Sequence, residues 1–157
     1  MPASPALVRL VQILQPSLAM YLADSGIWSY PGPEAVRVAL AALVSDQRQV
    51  ADRAALILEE REVPVPKTAY PISFSGWHDV DLQHILPRIV AGLKRQEAEL
   101  EQLVATPNDA TAAGLAAEAA KITRQHVAAL DQIAVKLRAG LSAKPAATVT
   151  SMGSEPA

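Results

Sequence analysis

The 157-residue chain predicts an all-α fold: an antiparallel four-helix bundle with one long crossover between its second and third helices. Three observations carry that reading. Apolar residues recur at three- and four-residue spacing in four separate stretches. Serine, aspartate, proline and glycine punctuate the ends of those stretches. The middle two are separated by about 17 residues, 62–78, that hold Pro64, Pro66 and Pro71 and no helical period.

Helix A opens at Ser4, an N-cap followed by Pro5 at the first helical position. Leu7, Leu10, Val11, Leu14, Leu18 and Tyr21 then repeat until Asp24 and Gly26 stop the pattern. Pro16 lies inside this helix and predicts a kink, because proline lacks an N–H and its ring crowds the preceding turn. Helix B restarts after Pro31, Gly32 and Pro33, with Glu34 in the first turn where the helix dipole favours an acid. Val36, Leu40, Leu43, Val50, Ala54, Ile57 and Leu58 form its stripe to about Arg61. Helix C begins near Asp79 or Asp81, either of which could cap it, and carries Leu82, Ile89, Leu93, Leu100 and Leu103, with Pro87 bending or delaying its first turns. Thr106, Pro107, Asn108 and Asp109 repeat the cap-then-proline signal for helix D, where Leu115, Ala119, Ile122, Leu130, Ile133 and Leu137 precede a stop at Gly140.

The long connection decides the topology. Helix B, at roughly 29 residues and 1.5 Å each, would be about 43 Å long, and an extended link of that size can run back along it. A simple up-down-up-down bundle needs no such link. A flexible linker between two hairpins is the alternative, but each hairpin alone would expose its stripe. Residues 1–141 are therefore read as one bundle and 142–157, small, polar and proline-containing, as a disordered tail.

Composition excludes several classes of chemistry. There is no cysteine, which removes disulfides, thiolate catalysis, zinc-thiolate sites and iron-sulfur clusters. The N-terminal MPASPALVRLVQILQPS is interrupted by Arg9, Gln12, Gln15 and Pro16 and does not read as a signal peptide. No stretch approaches the roughly 20 apolar residues of a membrane span, so a cytoplasmic protein with no membrane partner is expected. Fourteen basic against sixteen acidic residues leave a formal charge of -2 and no dense basic face, which argues against nucleic acid as a partner. No glycine-rich phosphate loop, nucleophile elbow or inward carboxylate pair is visible, and no catalytic residue is assigned.

The apolar stripes are interrupted by polar groups. Placing residues at about 100° each on straight helices puts Gln47 close to the centre of helix B's apolar face, in SDQRQVADR, whereas Gln49 points away. The same projection brings Gln96 onto the face of helix C, His126 to the centre of the face of helix D with Thr123 at its margin, and Gln15 to the edge of helix A's stripe. Such a layer is either a hydrogen-bonded device that fixes helix register or a ligand site.

In its layout and in the blocks LVQILQPSLAMYLADSG, SDQRQVADRAALILEE, YPISFSGWHDVDLQHILPRIVAGLKRQ and TRQHVAALDQI, the chain resembles the ferritin-like superfamily over about residues 5–140. The resemblance implies a dinuclear iron or manganese centre held by a Glu on two helices and a Glu-x-x-His on the other two. On this chain those positions fall on Gln47 and Val50 of helix B and on Thr123 and His126 of helix D. They fall within Leu14–Leu18 of helix A and Ala91–Gln96 of helix C, with no acid at the centre of either stripe. Two divalent ions bring four positive charges that are normally offset by about four carboxylates, and Gln47, Gln96, Thr123 and His126 offset none. No metal and no cofactor are therefore expected, the alternative being iron or manganese at an altered site around His126 if Asp46, Glu97 or Glu118 turned inward.

Three further features carry alternatives. His78, Asp79, Asp81 and His84 in HDVDLQH could ligate zinc, but the histidines are six apart and the acids suit helix capping. Trp28, Tyr30, Phe74 and Trp77 lie in the two connections, where they form either an aromatic plug at one end of the bundle or an exposed interaction surface. The alanine-rich TAAGLAAEAA of helix D allows close helix approach, within the bundle or between subunits, and a homodimer is expected. The favoured function is a non-catalytic bundle acting by oligomerising or by binding a protein partner or small ligand, and the alternative is a metal-dependent redox enzyme.

Overall fold

The computed structural model describes residues 4–26, 30–67, 69–77, 80–105 and 108–153, the side chains of Trp77 and of 141–153 excepted. Among the described residues the fold is all-helical. Its helices are α1 (Pro5–Leu14), α2 (Leu18–Asp24), α3 (Glu34–Glu60), α4 (Leu82–Val104) and α5 (Ala110–Gly153), with a 3-10 helix at Ile72–Trp77.

The predicted helix A is two helices, because Pro16 breaks it: α1 and α2 meet at 62°. Ser17 restarts the chain by accepting a hydrogen bond from the Met20 amide at 3.1 Å. The bent pair is apolar enough in total for a membrane span, but no single helix among the described residues is long and apolar enough to cross one. Leu7, Leu10, Leu14 and Leu22 of this pair are fully buried in the protein interior.

α3 ends in a Schellman motif. Val63 N–H donates to the Leu58 carbonyl at 2.9 Å and Glu62 N–H to the Glu59 carbonyl at 3.0 Å, with Glu62 left-handed at φ 59°. Of the two candidate caps for α4, Asp81 takes the part, its Oδ1 accepting from the Gln83 amide at 2.8 Å. α4 runs through Pro87 without the predicted delay. Asp109 caps α5 by accepting from the Ala112 amide at 3.1 Å; Thr106 and Pro107 lie outside the described residues.

One boundary differs from expectation. α5 continues past the expected stop at Gly140 to Gly153. A glycine inside a helix costs only about 1 kcal/mol relative to alanine, so by itself it permits a stop without enforcing one.

The core is divided in two along its length. One cluster joins Leu7, Leu10 and Leu14 to Val50, Ala54 and Leu58 of α3, Leu100 and Leu103 of α4, and Ala112, Ala116, Ala119 and Ala120 of α5. The other joins Met20 and Leu22 of α2 to Val36, Leu40 and Leu43 at the start of α3, Leu82–Leu93 at the start of α4, and Val127 and Leu130 of α5. Each fully buried leucine removes enough apolar surface from water to contribute about 1.5–3 kcal/mol. Polar ties close both ends. At the first, Arg61 Nη1 donates to Ser4 Oγ at 2.7 Å and to Asp109 Oδ2 at 3.0 Å, joining the start of α1, the end of α3 and the start of α5. At the other, the Leu82 amide donates to the Pro31 carbonyl at 2.8 Å, and Gly32 presses so close that an added Cβ would lie 2.9 Å from Leu82 Cβ.

Candidate functional site

The gap between the two apolar clusters holds a layer of three side chains. Gln47 follows Val44 on α3, Gln96 follows Leu93 on α4, and Thr123 follows Ala120 on α5, so each occupies the next inward position of its helical stripe. All three are buried. Gln47 Nε2 donates to Gln96 Oε1 at 2.7 Å and to Thr123 Oγ1 at 3.0 Å. Thr123 Oγ1 donates in turn to the Ala119 carbonyl at 2.8 Å.

The fourth strand of this network comes from the break at Pro16. Gln96 Nε2 donates to the Ile13 carbonyl at 2.9 Å, near the C-terminal end of α1, where intrahelical donors have run out. The amide on α4 thus ties the kinked pair to the layer. One atom is left over: Gln47 Oε1 is buried with no hydrogen-bond donor among the described residues.

His126 does not join the layer. Thr123 occupies the centre that the sequence projection assigned to His126, and His126 stands at the margin, its side chain 16% exposed and its Nε2 2.7 Å from Asp46 Oδ2 on α3. The exchange has a physical origin. α5 approaches its neighbours along Ala112, Ala116, Ala119 and Ala120, which turns the buried face toward Thr123 and Val127.

These residues do not fit a pair of divalent ions. The layer is neutral, and its one open acceptor is an amide oxygen. The three flanking acids that would have to turn inward are engaged elsewhere: Asp46 by His126, Glu97 by Arg124 at 2.9 Å, and Glu118 by Arg53 at 2.5 Å. Among the described residues no group of three or more His, Asp or Glu side chains converges as a metal site. His78 and Asp79 lie outside the described residues, Asp81 is spent on capping α4, and His84 is exposed.

Among the described residues, Phe74 has two aromatic neighbours, Tyr21 and Tyr70. Tyr21, set on a helix and apart from the loops, packs edge-on against Tyr70 at 5.3 Å and Phe74 at 5.6 Å between ring centroids. Tyr30 is buried in the same apolar cluster that Tyr21 and Tyr70 pack against, its carbonyl accepting from Arg37 at 3.0 and 3.2 Å. Trp28 lies outside the described residues, as does the side chain of Trp77.

Beside the aromatic trio, the Tyr70 hydroxyl donates to Asp24, which also pairs with Arg48. Burial and then the Asp24 carboxylate push the Tyr70 phenol well above its ordinary value. Sequence reading missed this group because a tyrosine in the long connection can be matched to an acid at the end of α2 only once the chain is folded. Gln15, placed by the sequence at the edge of the helix A stripe, is half-buried and lines a small recess of about 300 Å³ with Asp24, Arg48 and Tyr70.

A larger cleft of about 570 Å³ lies beside the break at Pro16, lined by residues of the α1–α2 pair and of α4. Ile13, Pro16 and Leu18 form one wall, Phe74 one end, and Ile89, Gly92, Arg95 and Gln96 the α4 side. Gln96 therefore belongs both to the buried layer and to the wall of this cleft. No protein-family model, no curated protein and no solved structure matches this chain.

Proposed function

We propose that this chain is a non-catalytic four-helix bundle, ferritin-like in layout, that acts by binding a small ligand or partner or by self-association. In this reading the kinked pair α1–α2 counts as one helix and residues 62–78 form the crossover. Two facts support the topology. The starts of α3 and α4 share one apolar cluster while their later turns share the other, so the two helices run in the same direction and the chain must return between them. The Pro31 carbonyl and the Leu82 amide tie those two starts together.

The observation that carries the functional reading is the hydrogen-bonded Gln47–Gln96–Thr123 layer. It stands at mid-height, where a metal-binding bundle needs carboxylates, and it contains none. Self-association has a weaker support in Val38 and Leu56, each more than half exposed and eighteen residues apart on one side of α3.

Elemental analysis of protein purified without chelators tests the proposal. Far less than one iron or manganese per chain is expected, and close to two per chain would overturn it. His126→Ala separates the rival reading, a redox enzyme with an altered site. Loss of bound metal or of oxygen-dependent iron oxidation in that variant would favour the enzyme, whereas a change confined to stability favours the binding protein. Light scattering checks for the dimer.

A further inference from the structure

The cleft beside the kink has a composition that specifies a ligand class. Its walls are apolar where Ile13, Leu18, Phe74, Ile89 and Leu93 meet it, and its volume of about 570 Å³ falls within the range of small-molecule sites. Two cations, Arg88 and Arg95, stand on its α4 side. The one acid in the same lining, Glu99, lies 3.7 Å from Arg9, which offsets its charge. Arg95 has no ion pair or hydrogen bond among the described residues. Gln96, 6% exposed, uses its amide nitrogen toward the Ile13 carbonyl only, and that nitrogen carries a second N–H.

Gly92 is the position that makes the space. It sits in the interior of α4, where glycine is unfavourable by about 1 kcal/mol relative to alanine. Its backbone imposes no need for glycine, and an added Cβ would meet only Arg95 Nη2, at 3.9 Å. A larger side chain there would project into the cleft that Gly92 lines.

We propose that this cleft binds a small anionic amphiphile, a carboxylate with a medium-length apolar tail. The tail lies along the half-buried Pro16, Leu18 and Phe74, and the carboxylate accepts hydrogen bonds from Arg95 and from the second N–H of Gln96. A carboxylate suits this pair because both groups only donate there, and the guanidinium adds charge to the hydrogen bond. The inference rests on the ligand-binding reading above and names its ligand.

Isothermal titration calorimetry of the full chain with decanoate, below its micellar range, is the test. Decanoate is expected to bind at one site per chain, with decanol and acetate each at least tenfold weaker because each supplies only half of the recognition. Gly92→Leu is expected to retain the fold, melt at or above the wild-type temperature, and lose at least tenfold in decanoate affinity. Arg95→Gln is expected to lose decanoate affinity while leaving decanol unchanged. Absence of decanoate binding, or equal binding by folded Gly92→Leu, would overturn the proposal. Either result leaves the low metal content intact, so failure of the cleft is distinguishable from failure of the non-catalytic reading, which metal analysis alone decides.

Discussion

Gln47 Nε2 and Gln96 Oε1 lie 2.7 Å apart, on helices α3 and α4, with an apolar cluster above and another below them. The two amides are not equivalent. Gln47 already carries an unpartnered buried oxygen, whereas Gln96 also supplies the donor for the Ile13 carbonyl. Gln47→Leu therefore exchanges one orphan acceptor for another, since Gln96 Oε1 loses its donor while Gln47 Oε1 disappears, and Thr123 Oγ1, though it loses a donor, keeps its bond to the Ala119 carbonyl. Gln96→Leu keeps the first orphan and adds the Ile13 carbonyl. Urea unfolding is expected to show Gln96→Leu losing about 1–3 kcal/mol and Gln47→Leu clearly less. Equal losses would contradict this account of the layer.

Asp109 gives the fold an acid-sensitive tie. Burial works against its charged form, but the Ala112 amide and the Arg61 guanidinium outweigh burial and hold the carboxyl below the usual range. A depressed folded value means that the stabilisation is present above the unfolded value of about 3.9 and is lost as pH falls through the lower folded one. Asp109→Ala is expected to cost about 1–2 kcal/mol at neutral pH through loss of the cap and the ion pair. The same variant should show a shallower loss of stability below about pH 4 than wild type, measured by denaturant titration across pH.

Tyr70 predicts the opposite limb. Burial and the Asp24 carboxylate favour its neutral phenol, so its contribution is present below the unfolded value of about 10 and is lost as pH rises through the higher folded one. Tyr70→Phe should remove part of the alkaline destabilisation seen by circular dichroism. Asp24→Asn should move one of the three tyrosine titrations, followed by ultraviolet absorbance, toward the ordinary range.

Two backbone positions should respond in opposite directions. Glu62 holds a left-handed φ of 59° at the end of α3 without glycine's freedom, so Glu62→Gly is expected to raise stability by about 0.5–1 kcal/mol. Gly32 combines φ 138° with an added Cβ that would sit 3.0 Å from the Leu82 backbone nitrogen. Gly32→Ala should lower the melting temperature, because neither the dihedral nor the contact can relax without separating the turn from the start of α4. Melting curves of the two variants beside wild type check both signs.

The sequence by itself determined that the chain is helical, that Pro16 interrupts its first helix, that an aspartate caps α4, and that Gln47 and Gln96 turn inward. Each is a local matter, set by side-chain spacing, by proline's missing N–H or by a carboxylate within reach of its own helix. Tertiary structure alone decided that Thr123 and not His126 completes the layer, because the rotation of α5 depends on how closely its alanines approach their neighbours. It also decided the ties of Arg61 to Ser4 and Asp109, the pairing of Tyr70 with Asp24, and the cleft opposite Gly92. Those depend on which distant segments meet, and neither a helical period nor a spacing along the chain encodes that distance.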